Sequence, residues 1–112
     1  MRVWYRVRDL EAARRFYVRT LGFTETGVDI AAGWSELERG DMRIALAPGE
    51  PEEAGVATVD VPDVRAEAAR LRAEGVRVGT VFELHGEMRL LDVFDPDGNR
   101  IQLAEDLKRS EE

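Results

Sequence analysis

An internal repeat constrains this chain more than any single motif. Val7-Arg8-Asp9-Leu10 opens a helical pattern that closes at Gly22, and Val61-Pro62-Asp63-Val64 opens a second that closes at Gly75. In both, an aspartate separates an alternating stretch from apolar residues at helical spacing. That is where a carboxylate can accept the unpaired N–H groups of a first helical turn. The two aspartates lie 54 residues apart. Gly22 suits the left-handed residue that stops a helix, and Gly75 closes the second in the same way. A period of this length means that one supersecondary unit is built twice.

Each unit reads β-α-β-β-β. In the first, residues 2–8 set Val3, Tyr5 and Val7 against Arg2, Trp4, Arg6 and Arg8, the two-residue period of a strand with one apolar face. A helix follows to about Thr20, with Leu10, Ala13, Phe16 and Tyr17 on its apolar side. Residues 23–28 form a strand and 29–33 a loop. Residues 34–38 and 42–47 form a hairpin through Arg39-Gly40-Asp41. In the second unit, residues 56–61 are a strand in which Ala57, Val59 and Val61 oppose Val56, Thr58 and Asp60. A helix on the stripe Val64, Ala68, Leu71 runs to about Glu74, and strands follow over 76–83 and 88–94. The last hairpin turns at Asp95-Pro96-Asp97-Gly98-Asn99. Pro96 presets φ, Asp95 can cap the turn with its side chain, and Gly98 can take the left-handed conformation.

The expected organisation is a single domain over residues 1–112. Module 1 covers about 2–47, an acidic, breaker-rich linker about 48–54, module 2 about 55–105, and a charged tail 106–112. The expected fold class is α+β, two tandem βαβββ modules forming a curved eight-stranded mixed sheet, a cup with its helices on the convex face. The concave face then carries Arg2, Trp4, Arg6, Arg43, Thr58, Asp60, Arg100 and Gln102. A hollow lined by polar groups and an aromatic suits a small molecule.

Composition removes several function classes. At 44% hydrophobic and 35% charged residues the chain is globular. A net charge of −7 opposes binding to a phosphate backbone, so no nucleic-acid partner is expected. The absence of cysteine excludes disulfides, thiolate ligands and thiol nucleophiles. No apolar run is long enough for a membrane span, and Met1 leads straight into a strand pattern, so a cytoplasmic protein is expected. Lys108 is the one lysine. Either genome composition or heat tolerance accounts for such an arginine bias.

Val7-Arg8-Asp9-Leu10-Glu11-Ala12-Ala13-Arg14-Arg15-Phe16-Tyr17, followed by Leu21-Gly22-Phe23, resembles the first module of the vicinal oxygen chelate superfamily. This is the group of glyoxalase I, bleomycin-resistance proteins and extradiol dioxygenases. Asp95-Pro96-Asp97-Gly98-Asn99 with Ile101-Gln102-Leu103 resembles its closing hairpin, and the likeness covers residues 2–105. The resemblance implies a cup in which metal-dependent members fix a divalent ion through inward His and Glu side chains. That ion chelates two adjacent substrate oxygens and polarises them. Carried onto this chain, the ligand positions fall on Arg2, Ala45, Val56 and Gln102. The first three bind no hard cation, and Gln102 offers one neutral oxygen. The expectation is therefore no divalent metal, no cofactor and no assigned catalytic residue.

His85, the only histidine, sits in Glu83-Leu84-His85-Gly86-Glu87. It is either a ligand contact or general base at the cup's border, or an exposed loop residue. Trp4 either stacks on a flat or cationic ligand or fills the cup, and Trp34 either stacks likewise or covers a dimer contact. Arg2, Arg6 and Arg43 either grip an anionic group or pair with Asp60, Glu36 or Glu38. The expected function is binding of a small organic molecule in the cup without a typical metal site. The alternative is a metal-dependent lyase, isomerase or dioxygenase with an atypical site that includes His85, Glu87 or Gln102. The resemblance also implies a homodimer. Whether the cup closes within one chain or by exchange between two stays open.

Overall fold

The computed structural model describes residues 2–50 and 55–107, Arg2 without its side chain. Module 1 consists of β1 (Arg2–Val7), α1 (Leu10–Arg15) continued by a π-helical turn (Phe16–Thr20), β2 (Thr24–Asp29), β3 (Trp34–Arg39) and β4 (Met42–Pro48). Module 2 consists of β5 (Ala57–Asp60), α2 (Val64–Ala73), β6 (Phe82–Leu84), β7 (Met88–Phe94) and β8 (Arg100–Asp106). The repeated aspartates act as the sequence pattern requires. Asp9 accepts the Ala12 N–H at 3.1 Å, and Asp63 accepts the Ala66 N–H at 3.0 Å. Each helix therefore starts on a satisfied N–H.

The strands pair in the order β1-β4-β3-β2 in one module and β5-β8-β7-β6 in the other. The β1/β4 and β5/β8 pairs are parallel, and the rest are antiparallel. The curved eight-stranded surface is thus built as two four-stranded halves, each hydrogen-bonded within itself. One face of each half carries a helix. Val3, Tyr5 and Val7 of β1, Ile44 and Leu46 of β4, and Ile101 and Leu103 of β8 point to that side. They join Ala13, Tyr17, Val64, Ala68 and Leu71 of the helical segments in one core that runs through both modules. Truncating any of the large buried aliphatics to alanine costs about 2–5 kcal/mol.

The two repeats differ where they meet. Two residues, Gly40 and Asp41, turn the chain between paired Arg39 and Met42, whereas five separate paired Phe94 and Arg100. The longer turn is the junction. Asp95 is buried and accepts from the backbone N–H groups of Asp97 and Asn99, from the Tyr17 hydroxyl at 2.8 Å, and from Asn99 Nδ2 at 2.9 Å. Asn99 Nδ2 also donates to the Arg6 carbonyl of β1 at 3.0 Å. The Tyr5 hydroxyl donates to the Arg100 carbonyl and accepts the Ala57 N–H, so β1 touches the starts of both β5 and β8. Arg39 of β3 reaches Glu67 of α2 at 3.0 Å.

Three boundaries differ from the sequence pattern. The strand expected over 76–83 is reduced to Phe82–Leu84, preceded by an isolated bridge between Val78 and Val93. The Arg77 guanidinium lies over the Phe94 ring at 4.3 Å, and Gly79 N–H bonds the Asp92 carbonyl, so the chain meets β7 at single points. The first helix carries one residue more between its cap and closing glycine than the second, and it absorbs the extra residue as the π turn. β8 runs through Asp106, the first residue of the expected tail. Residues 51–54 of the linker and 108–112 of the tail lie outside the described residues.

Candidate functional site

The face of each sheet opposite its helix is open. Strand parity decides which side chains reach it, because neighbours along a strand point to opposite faces. In module 1 the register aligns Trp4 with Ala45 and Ala45 with Glu36, and on the same parity Arg6 with Ala47 and Ala47 beside Trp34. Alanines form the floor. Trp4 (54% exposed) and Trp34 (38%) stand above it, with Arg6 on one side. The Trp34 ring lies across Gly27, where an added Cβ would meet it at 3.6 Å. Arg43 is on the same face and pairs with Glu38 at 3.5 Å, as one of the alternatives for it required.

In module 2 the matching rows are Thr58, Gln102 and Asp92, then Asp60, Ala104, Leu90 and Phe82. Thr80, Phe82, Leu90, Asp92 and Gln102 line a shallow cavity of about 180 Å³. Beside it a second cavity, of about 530 Å³, lies over Asp60, Pro62, Met88 and Ala104. Arg100 is exposed at one end of this face and reaches Asp92 at 3.5 Å. The structure therefore puts Trp4, Arg6 and Arg43 on one open face and Thr58, Asp60, Arg100 and Gln102 on the other. Arg2 is on the Trp4 parity of β1, but its side chain lies outside the described residues.

His85 is not on either sheet face. It occupies the exposed tip between β6 and β7 with φ of +50°, followed by Gly86 at +69°, while Glu87 N–H bonds the Leu84 carbonyl at 2.8 Å. Two consecutive left-handed residues make a tight hairpin turn, and a short polar side chain tolerates that conformation better than most.

Sequence reasoning missed Phe82, Met88, Leu90 and Asp92 as lining residues. The signal was present: 88–94 alternates Met88, Leu90, Asp92 and Phe94 against Arg89, Leu91 and Val93. Apolar residues on both parities concealed which face was open.

The positions that the resemblance gave, Arg2, Ala45, Val56 and Gln102, have defined strand neighbours. The parallel pairs couple Trp4 with Ala45 and Thr58 with Gln102, whereas Arg2 pairs with Arg43 and Val56 precedes β5. The two coupled pairs on the open faces present an indole, a methyl group, a hydroxyl and an amide. None is an anionic or imidazole ligand, so the set does not fit a divalent ion. Among the described residues, no three His, Asp or Glu side chains gather into a cluster able to hold one.

The displaced titrations lie on the helix side or at the module junction. Burial pushes the Tyr17 hydroxyl well up, and the neighbouring Asp95 carboxylate adds to it. Burial likewise raises Tyr5. The Arg14 fork holds the Glu25 carboxyl below its ordinary range, with Ser35 Oγ helping.

This fold and this face define a class. The chain belongs to the Glyoxalase/Bleomycin resistance protein/Dioxygenase superfamily, whose family model matches residues 2–103. Among solved structures, an integron cassette protein from the mobile metagenome of the Halifax Harbour sewage outfall is 22% identical. The match covers 94% of this chain and 96% of that one, with a TM-score of 0.82. A bleomycin resistance determinant encoded on transposon Tn5 is 20% identical over 95% of this chain and 96% of its own, with a TM-score of 0.73. TnmS3, an antibiotic-binding protein from Streptomyces sp. CB03234, is 28% identical over 92% and 93%, with a TM-score of 0.71. Among curated proteins none matches. No helix in the described residues is long and apolar enough to cross a membrane.

Proposed function

We propose that this chain binds a small organic molecule on its open sheet faces, without a typical metal site and without turning it over. The observation that carries the reading is the open-face set Trp4, Ala45, Thr58 and Gln102, paired across β1/β4 and β5/β8, which offers stacking, van der Waals and neutral hydrogen-bonding contact and no imidazole or carboxylate. Two exposed tryptophans over an alanine floor favour a ligand with a flat portion. Gln102, Thr58 and Asp92 supply hydrogen-bonding groups that fix its orientation. The likeness to an antibiotic-binding protein and to a bleomycin resistance determinant supports sequestration as the biological outcome.

The site is completed in this reading by a second copy of the chain. Each described cavity draws on one module alone. Trp4, Trp34, Phe82 and Leu84 stand in water on the two open faces, an arrangement that pairing would cover.

The test combines elemental analysis with thermal shift. The purified chain is expected to contain no stoichiometric Zn, Ni, Mn or Fe, and to melt at a higher temperature with bleomycin or another small ligand, because binding to the folded state raises its midpoint. One equivalent of metal per chain, lost together with an enzymatic activity in Gln102→Ala, would favour the lyase, isomerase or dioxygenase reading instead.

A further inference from the structure

On the helix side of module 1, α1 and its π turn border a depression of about 220 Å³ lined by Glu11, Arg14, Arg15, Val18, Arg19 and Glu25. The three arginines differ. The Arg14 fork is fully engaged, with Nε and Nη2 on the two Glu25 oxygens at 2.6 and 2.8 Å and Nη1 on Glu11 at 2.6 Å. Glu25 also accepts from the buried Ser35 Oγ at 2.6 Å. These contacts make one wall rigid. Arg15 and Arg19 are exposed and, among the described residues, engage no carboxylate, carbonyl or ring. By contrast Arg8, Arg39, Arg43, Arg70, Arg89 and Arg100 rest on carboxylates.

A second observation falls on the same segment. The extra residue of the first helix is accommodated as the π turn Phe16–Thr20, which starts directly after Arg15 and contains Arg19, while α2 has no such expansion. A π turn is rare and recurs at functional sites. Four residues apart across this wide turn, Arg15 and Arg19 share a side of the helix, and both line the depression.

We infer that this depression binds a small phosphate dianion, free or as the terminal group of a small molecule, between the Arg15 and Arg19 guanidinium groups. Each planar fork presents paired N–H donors that match the oxygens of a tetrahedral anion. The Arg14–Glu25 wall is in place before the ligand arrives, so little ordering is required. Val18 at the rim gives apolar contact to a carrier. The site is on the opposite side of the sheet from the open face and does not depend on the ligand proposed there.

The experiment is an amide NMR titration with inorganic phosphate, with glycerol phosphate and with acetate, at constant ionic strength. Saturable shifts confined to residues 14–19 and Glu25 are expected for both phosphates, and acetate should bind more weakly. Arg15→Gln with Arg19→Gln should weaken binding by about ten-fold or more. Arg15→Lys with Arg19→Lys, which keeps the charge and loses the fork, should fall between. Tighter binding of glycerol phosphate than of phosphate identifies a carried phosphate, and equal binding identifies the free ion. Scattered shifts that are the same for all three anions, no saturation, or saturation that survives the glutamine pair with the remaining spectrum unchanged would each overturn the inference.

Discussion

At the scale of single residues, the polar groups of this chain divide into those that hold the modules together and those that face a ligand. Tyr17 belongs to the first kind. Its hydroxyl donates to buried Asp95, and Tyr17→Phe leaves that carboxylate one donor short, which should cost about 1–2 kcal/mol. Because the folded-state pKa of Tyr17 is raised, its contribution is fully present below the ordinary tyrosine range and fades as pH rises through the folded value. Denaturation followed above about pH 10 should therefore show an alkaline loss of stability that is reduced in Tyr17→Phe; an identical loss in the variant would contradict this. Glu25 has the opposite sign. Its folded pKa is lowered by Arg14, so its contribution is present above about pH 4 and lost as pH falls through the folded value. Glu25→Gln should cost about 1 kcal/mol at neutral pH and flatten the acid limb of the stability curve. His85 is a turn residue in this account. His85→Asn, which keeps a short polar side chain at φ of +50°, should melt within a degree or two of the parent, whereas His85→Val should lose roughly 1 kcal/mol or more. Loss of ligand binding in a well-folded His85→Asn would restore the histidine to the site.

At the scale of elements, the repeat was readable because its signals are local. A capping aspartate, a helical stripe and a closing glycine act within a few residues of one another, and both helices form where those signals stand. The Asp95–Asn99 turn was equally legible, since Asp95 caps it through its own backbone neighbours. What local signals do not carry is pairing. Nothing within 76–83 says that Arg77 will stack on Phe94 and that the strand will begin only at Phe82. Register across β1/β4 and β5/β8 likewise sets Trp4 beside Ala45 and Thr58 beside Gln102, each two residues along the strand from Arg2 and Val56. A two-residue step along a strand keeps the same face. The open-face residues Trp4, Arg6, Arg43, Thr58, Asp60, Arg100 and Gln102 follow from parity alone. Their division between two separate half-sheets, and the role of Phe82 and Leu90 beside them, follow from the order of strands.

At the scale of the molecule, the same asymmetry recurs. The helix sides of both sheets share one continuous core, tied by Tyr5, Tyr17, Asp95 and Asn99, while both opposite faces are left bare. A globular chain rarely leaves a tryptophan and a phenylalanine more than half exposed on two sheet faces without a partner for them. Sedimentation equilibrium should accordingly give a dimer, and Phe82→Glu should shift it towards monomer with its circular dichroism unchanged. A monomeric parent would remove the second copy from the account. On the proposed function, the open faces bind their ligand without a metal. Both tryptophans lie on the module 1 face, so their emission reports it directly. Tryptophan fluorescence of the chelator-treated chain, titrated with bleomycin and a panel of small aromatic compounds, should show a saturable change with at least one of them that is unaltered by added Zn, Ni or Mn. Binding that appears only after metal is restored would contradict it.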